Sequence, residues 1–434
     1  MIGQNMTEDY LNPRKSQVSR ALVSQGLLAD CDSISMVDID GIKDTIGNLI
    51  QAFPDHFLHT FAVKSNLYVP ILEIIGIEGM GAEVASPGEF ELAKNAGIPF
   101  PKIVFDGPVK QQAEILEALE LGVSINIDNF QEFEIVADYF REQTSDSVIG
   151  FRINPQIGAG SVALSSTATL TSKFGVGLQD PGVRERLLDL YKSHNFLNAL
   201  HVHVGSVGSP LSLMTEGARA VLHLAREIND GIGRQQVRTI DIGGGLSVNF
   251  NSDDDTPTFE DYAAALQETA PELFDGTYKV ITEFGRAIVA KNAFTMARVA
   301  YTKTMGGRPI ALTHAGGHNL MRTIFQPEDW AKRVTALDPD GRVKSGPKVP
   351  QDVAGPLCFS GDIIAHERPL PKLDPGDLIF IHDTGAYMFT NHFYYNAKPY
   401  DPVFGFESHD GEFRFSRFKA GQTLKNLTSM FTKD

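Results

Sequence analysis

The chain has 434 residues, 42% hydrophobic and 21% charged, a globular composition with length for two or three domains. Lys and Arg number 38 against 54 Asp and Glu; the net charge of −16 excludes a general binder of nucleic acid or anionic membrane, because polyanions are repelled. Two cysteines, Cys31 and Cys358, are too few for a disulfide framework.

In chain order, the opening MIGQNMTEDYLNPRKSQ lacks the apolar stretch of a signal peptide. No run nears the roughly 18 apolar residues of a membrane span, so a cytoplasmic protein is expected. GIKDTIGNLIQAF (41–53) reads as a helix, and from there to residue 290 apolar β-rich runs alternate with helical periods. The runs are HTFAVK (ending at Lys64), GAEVAS (81–86), KIVFDG (102–107), SINID (124–128), VIGFRIN (148–154), ALHVHVG (199–205), TIDIGGG (239–245) and YKVITEFG (278–285). Between them, PGEFELAKNAG (87–97) has Pro near its start and Gly at its end. QQAEILEALELG (111–122) and SLMTEGARAVLHLAREIND (212–230) space their apolar residues by three and four. Eight strands with crossover helices predict an α/β fold, a parallel sheet closed as a (β/α)8 TIM-like barrel; a doubly wound open sheet is the alternative. SVALSSTATLTS (161–172) reads as a solvated loop, with a lid or binding loop as its other reading. Beyond residue 290 helical periods give way to strand fragments among Gly and Pro, as in GDLIFIHDTGAY (376–387). The expected domains are a barrel over 36–290 and a β-rich, β-barrel-like domain over 291–434, joined by 1–35.

Function in such barrels sits at the carboxyl ends of the strands. Read in order, those ends offer Lys64, Glu83, Arg152, His203, Gly243-Gly244-Gly245, Glu283 and Gly285-Arg286. Glycines admit an anion close to backbone N–H groups, and here they fall, with Arg286, after the seventh and eighth strands, where barrels hold phosphate. Lys64 closes an apolar strand; it is either a snorkelling surface lysine or a desolvated amine suited to a Schiff base. A phosphate anchor, such a lysine, a stacking histidine and an acid for a ring nitrogen together describe pyridoxal 5′-phosphate (PLP), and no metal is called for.

FAVKSN, GAEVASPGEFELA, IVFDGPVK, HVHVGS, DIGGG, EFGRAIVA, GPLCFSGD and GDLIFIHDTGAY resemble, in order, the motifs of the fold-type III PLP-dependent decarboxylases. That family includes diaminopimelate decarboxylase and ornithine decarboxylase and is more distantly related to alanine racemase; the likeness spans about residues 35–400. It implies that Lys64 holds PLP as a Schiff base and that His203 stacks on its ring, with Ser206 close to the phosphate. It implies that Gly243, Gly244, Gly245, Gly285, Arg286 and Tyr387 serve the phosphate, that Glu283 faces the pyridine nitrogen, and that Glu83 and Arg152 belong to the cofactor site. Cys358 resembles the cysteine lent to the partner subunit's site in a homodimer with shared active sites, where a thiol can return a proton to Cα. Asp362, Arg322, Arg286 and Tyr387 fall at substrate positions.

Three positions depart from the pattern. Phe284 replaces the usual Pro of EPGR, Gln326 stands where diaminopimelate decarboxylase has a tyrosine, and Phe359 follows the cysteine where relatives carry an acid for the distal ammonium. A phenyl ring offers that ammonium no carboxylate partner. The expectation is therefore PLP-dependent decarboxylation of an amino acid other than plain ornithine or diaminopimelate, one with a distal carboxylate or citryl-type group, as in specialised or siderophore metabolism. The alternatives are diaminopimelate decarboxylase in lysine biosynthesis, an amino-acid racemase, and a non-catalytic regulator of the same fold.

Overall fold

The computed structural model describes residues 11–158, 167–206 and 208–433, so that 161–166 of the Ser/Thr-rich tract lie outside the described residues. Two compact units divide the chain: Lys43–Val248 with Thr256–Ala287, and Met1–Ile42 with Asn249–Asp255 and Ile288–Asp434. The first described strand, β1 (Ser33–Asp38), straddles the border expected at residue 36 and belongs with the second unit.

The first unit is a ring of parallel strands: β2 (Phe57–Ala62), β3 (Gly81–Val84), β4 (Ile103–Phe105), β5 (Ser124–Ile127), β6 (Ile149–Asn154), a two-residue β7 (Val176–Gly177), β8 (Ala199–His201), β9 (Thr239–Asp241) and β10 (Lys279–Phe284). Each pairs in parallel with the next in the order β5-β4-β3-β2-β10-β9-β8-β6, and pairing of β5 with β6 closes the circle. These are the eight runs read from sequence; β7 only prolongs β6, matching Ile153 to Val176. Crossover helices cover the outside of a sheet whose interior is also packed, so both faces of β3, β4, β5, β6, β8 and β9 are buried.

Local chemistry sets the helix ends. Ser86 caps the helix Pro87–Asn95 by accepting from the Glu89 amide at 3.2 Å, and Pro87 fills the first turn, where no N–H partner is needed. The longest helix, Leu211–Ile232, buries Met214, Val221, Leu222, Ala225 and Ile228 along one face and stops at Gly233, whose φ of 75° favours glycine. Phe284 continues the β10 ladder opposite Phe61 and is fully buried against Phe259 and Tyr262, their ring centroids 5.1 and 6.0 Å away. The ring thus fills the layer outside the barrel, while Glu283, one residue earlier, turns to the other face.

The second unit is a nine-stranded mixed sheet. It contains β1, β11 (Ala293–Met305), β12 (Arg308–Thr313), β13 (Val334–Leu337), β14 (Lys348–Ala354), β15 (Ile363–Pro371), β16 (Leu378–Ile381), β17 (Val403–His409) and β18 (Glu412–Lys419). β1 lies between β11, antiparallel, and β17, parallel, with Met36 opposite Phe294 and Phe404. Its core joins Ile34, Met36, Phe294, Leu378, Phe380 and Phe406 to Val18 and Leu22 of the helix Pro13–Ser24.

His59 on β2 is buried with Nδ1 2.8 Å from Thr282 Oγ1, and burial lowers its pKa from 6.5 to about 4. The unfolded chain takes up that proton near 6.5 and the folded chain only near 4, so the stability is present above 6.5 and lost as pH falls through this window. The loss amounts to about 3 kcal/mol. His59→Gln should flatten the fall in unfolding free energy across this range, measured by urea denaturation at several pH values. An unchanged slope would clear His59 as its source.

Candidate active site

Lys64 stands in a single turn, Val63–Ser65, directly after β2, with its Nζ 2.6 Å from Oε2 of Glu83 on β3. Gly285 makes room for this turn: a Cβ there would lie 2.7 Å from Ser65 Oγ and 2.9 Å from Ala62 Cβ. Glu83 is fully buried, and burial pushes its pKa up to about 8 even with Lys64 pulling it down. A snorkelling lysine would hold its ammonium in water; Lys64 instead rests on a buried carboxyl group.

Arg152 on β6 donates to Asp106, just past β4, with Nη1 2.7 Å from Oδ2, and its guanidinium lies 4.4 Å above the Phe174 ring. His203 follows β8, and its Nδ1 is 3.1 Å from Oε2 of Glu283 on β10. Burial lowers the His203 pKa, keeping the ring neutral. Burial alone would raise that of Glu283, yet His201 and His203 hold it well below the usual carboxylate range. The ring nitrogens of His201 and His203 and the Glu283 carboxylate lie within 4.8 Å of one another.

The glycine triplet follows β9 and interlocks with its neighbours. A Cβ on Gly244 would sit 2.0 Å from the Glu283 carbonyl, and one on Gly245 2.1 Å from the Gly205 carbonyl carbon. Ser206 joins the same loops, its amide donating to Ser209 Oγ at 3.1 Å and its carbonyl accepting from Ser247 Oγ at 3.4 Å. Arg286, almost fully buried, opens the short helix Arg286–Val289.

The second unit carries the remaining predicted residues. The Arg322 guanidinium lies 4.8 Å from the Trp330 ring centroid and 4.6 Å from that of Tyr387, and burial lowers its pKa. Tyr387 itself adopts a left-handed φ of 59° and meets Trp330 edge-on. Cys358 is an exposed free thiol whose amide donates to Asn396 Oδ1 at 2.7 Å, while its carbonyl accepts from Tyr395 Oη at 3.2 Å. Phe359 stacks on Phe325 with centroids 5.3 Å apart.

Asp362, expected at a substrate position, lies inside the turn that carries Cys358. It is buried, and its oxygens accept from the amides of Gly317 at 2.6 Å and Leu357 at 2.8 Å, so it clamps the turn that presents Cys358. Glu367, another acid near Phe359 in sequence, is committed to an ion pair with Arg308. Gln326 ends the helix Met321–Phe325, its amide donating to the Arg322 carbonyl at 2.8 Å.

A parallel barrel that sets an amine on one buried carboxyl group and an imidazole on another, beside a glycine turn, defines an enzyme class that works on an aldehyde cofactor with an aromatic ring. The family model described as pyridoxal-dependent decarboxylase, pyridoxal binding domain, matches residues 39–290. Diaminopimelate decarboxylase of Helicobacter pylori is 32% identical over 84% of this chain and 87% of its own length. The Bacteroides thetaiotaomicron protein of the same name is 31% identical over 81% and 89%. The crystal structure of the H. pylori enzyme complexed with L-lysine superposes with a TM-score of 0.81 at 27% identity, covering 94% of this chain and 99% of the other.

The chain belongs to the pyridoxal-dependent decarboxylase family, as an enzyme of the diaminopimelate decarboxylase type with PLP as its cofactor. The donor set fits that group: Lys64 offers the amine, Glu283 an ionised carboxylate, His203 a neutral ring, and the glycine turns and Arg286 the surroundings a phosphate needs. Sequence reading passed over His201, Asp106, Asp241 and Trp330. For His201 a signal existed: in HVHVG, alternation places it on the same strand face as His203.

Borohydride treatment of the PLP-loaded protein should leave the pyridoxyl group on the peptide containing Lys64, as read by mass spectrometry. Lys64→Ala should abolish turnover while keeping the folded circular dichroism spectrum, since it removes one half-exposed strand-end side chain. A label on another lysine would overturn the assignment.

Proposed function

We propose that the chain removes CO2 from an α-amino acid whose far end carries a carboxylate, with diaminopimelate as its foremost substrate. The observation that carries this reading is Arg322. Trp330 and Tyr387 lie against its guanidinium at 4.8 and 4.6 Å, an arrangement that suits presentation of the planar N–H edge to a carboxylate in a bidentate grip. The relatives support it: L-lysine, the molecule in the H. pylori structure, is what remains when diaminopimelate loses one carboxyl group.

PLP, when bound, supplies an electron sink for the carbanion that departing CO2 leaves behind. The residues of this chain prepare for it. Glu83, 2.6 Å from Nζ and with a pKa near 8, is placed to take the Lys64 proton and free the amine for attack. Glu283, held as an anion, would favour a proton on the cofactor's ring nitrogen. Cys358 stands on a turn clamped by Asp362 and Asn396 and supplies the proton that replaces the carboxylate, in the active site of a partner subunit.

Phe359 favours a second reading, in which the substrate keeps the distal carboxylate but lacks the distal ammonium. The ring occupies the place of an acid, and the two neighbouring acids are engaged, Asp362 by amides and Glu367 by Arg308. Release of CO2 should be measured from meso-diaminopimelate, α-aminoadipate, a citryl-diaminopropionate, ornithine and lysine. Diaminopimelate as the best substrate upholds the first reading, and an acidic amino acid without a distal amine upholds the second. Ornithine or lysine as the best substrate overturns both. A charge-assisted hydrogen bond is worth roughly 1.5–3 kcal/mol, so Arg322→Ala should lower kcat/KM for the best substrate about ten- to hundredfold while sparing PLP binding.

The shared-site arrangement has its own test. Mixing Lys64→Ala with Cys358→Ala protein should regenerate activity, because each heterodimer contains one intact site; under random exchange roughly a quarter of all sites are wild-type. Proven subunit exchange with no gain over the parents would place Cys358 outside a neighbouring site.

A further inference from the structure

Two residues with no assigned task, Asp106 and His201, lie against Glu283 in the barrel interior. Both are buried, His201 completely. His201 shares a layer of the barrel with Arg152 and Asp241, its register partners on β6 and β9. Its Nδ1 is 3.2 Å from Asp106 Oδ1, and its Nε2 is 3.7 Å from Glu283 Oε1. The other oxygen of Asp106 accepts from Arg152 at 2.7 Å.

The ion pair with Arg152 holds Asp106 as a carboxylate. His201 Nδ1 and Nε2, Asp106 Oδ1 and Glu283 Oε1 are all buried without a hydrogen-bond partner, so charge decides whether both ring nitrogens carry hydrogen. Nε2 then confronts a carboxylate oxygen of Glu283. Two lone pairs facing each other in a dry interior repel, whereas a proton on Nε2 turns the contact attractive. The resulting row, Arg152–Asp106–His201–Glu283, alternates positive and negative charge.

We propose that His201, set between Asp106 and Glu283, is a positioning residue whose positive charge keeps the Glu283 carboxylate anionic for the cofactor's ring nitrogen. The proposal rests on the reading of Glu283 as the ring-nitrogen partner. The other ionisable groups around it are consistent with this. Burial opposes charge on His201, but the neighbouring carboxylates, Asp106 foremost, raise its pKa well above the ordinary imidazole value. Asp241, accepting from the Gly243 amide at 2.9 Å and Asn126 Nδ2 at 3.0 Å, is pushed by burial and by Glu283 toward its neutral form. His203 stays neutral, and Lys64 pairs with Glu83. Without a cation at His201, Glu283 would be the acid that accepts a proton as the cluster sheds charge.

The test uses protein labelled with 15N-histidine, with and without PLP. Long-range 1H–15N spectra over roughly pH 6 to 9, above most of the ordinary imidazole titration, should show both His201 nitrogens protonated throughout. His201→Asn identifies the signals. A neutral, singly protonated His201 in the unmodified protein would overturn the proposal, and this reading does not depend on any variant folding. In activity, His201→Asn should move the acid limb of the kcat/KM profile up by about one pH unit, because Glu283 loses the charge that keeps it ionised. The KM for the amino acid should stay within about twofold. Asp106→Asn should shift the limb in the same direction; an unmoved limb in a folded variant would reduce His201 to packing. Glu283→Gln tests the underlying assignment separately. If PLP dissociation is not raised by about tenfold or more, Glu283 does not hold the ring nitrogen and the proposal falls with that assignment, whatever the substrate proves to be.

Discussion

A carboxylate that must remain ionised where water is absent is the constraint around which the barrel interior is arranged. Transferring an unpaired carboxylate into such surroundings costs several kcal/mol even after relaxation, and its ordinary response is to take up a proton. Glu283 does not, because His203 meets one oxygen at 3.1 Å and His201 approaches the other at 3.7 Å. His201 in turn lies 3.2 Å from Asp106, which is ion-paired with Arg152. The neighbouring acids take the opposite course: Glu83 is pushed up to about 8 and Asp241 well above the usual range. Environments that drive the pKa values of adjacent acids apart also divide their tasks, since a group near 8 exchanges protons and a group kept low holds charge.

The loops at this end of the barrel follow from the same requirement. His203 can reach Glu283 only if the segments after β8, β9 and β10 lie close together, and the glycines permit it. A side chain on Gly243 would meet His203 Nδ1 at 2.7 Å, and one on Gly244 would enter the Glu283 backbone. These glycines are therefore needed for the packing of the site before any ligand is considered. The phosphate role that their position suggests is an additional use of amides already drawn together.

The barrel was legible because six of its eight strands, β3, β4, β5, β6, β8 and β9, are buried on both faces and read as short apolar runs between helical periods. Strand-end chemistry was legible for Lys64, His203 and Glu283, where a polar residue interrupts such a run. His201 and Asp106 were harder to see, since each looks like a satisfied polar residue until three strands bring their partners together across the ring. Asp362 shows the reverse. The family resemblance implied a substrate position for it, whereas the amide that occupies one of its oxygens comes from Gly317, 45 residues away, a contact no local motif announces. The domain border was blurred at β1, because hydrophobic content does not reveal whether a strand will add to a parallel ring or pair antiparallel with β11.

Specificity turns on a contrast inside the second unit. Arg322 and Phe325 stand on the same five-residue helix, Met321–Phe325. One places a guanidinium beside two rings and the other stacks on Phe359. Both side chains leave one short helix, so the guanidinium proposed to hold a carboxylate and the aromatic pair are positioned together. Placing an acid at 359 would do more than add a charge: it would remove the ring that stacks on Phe325 and leave that half-exposed side chain with less cover. The aromatic pair and the missing acid are thus one structural choice. If diaminopimelate is the substrate, its distal ammonium needs a partner other than Asp362 and Glu367, which are already engaged.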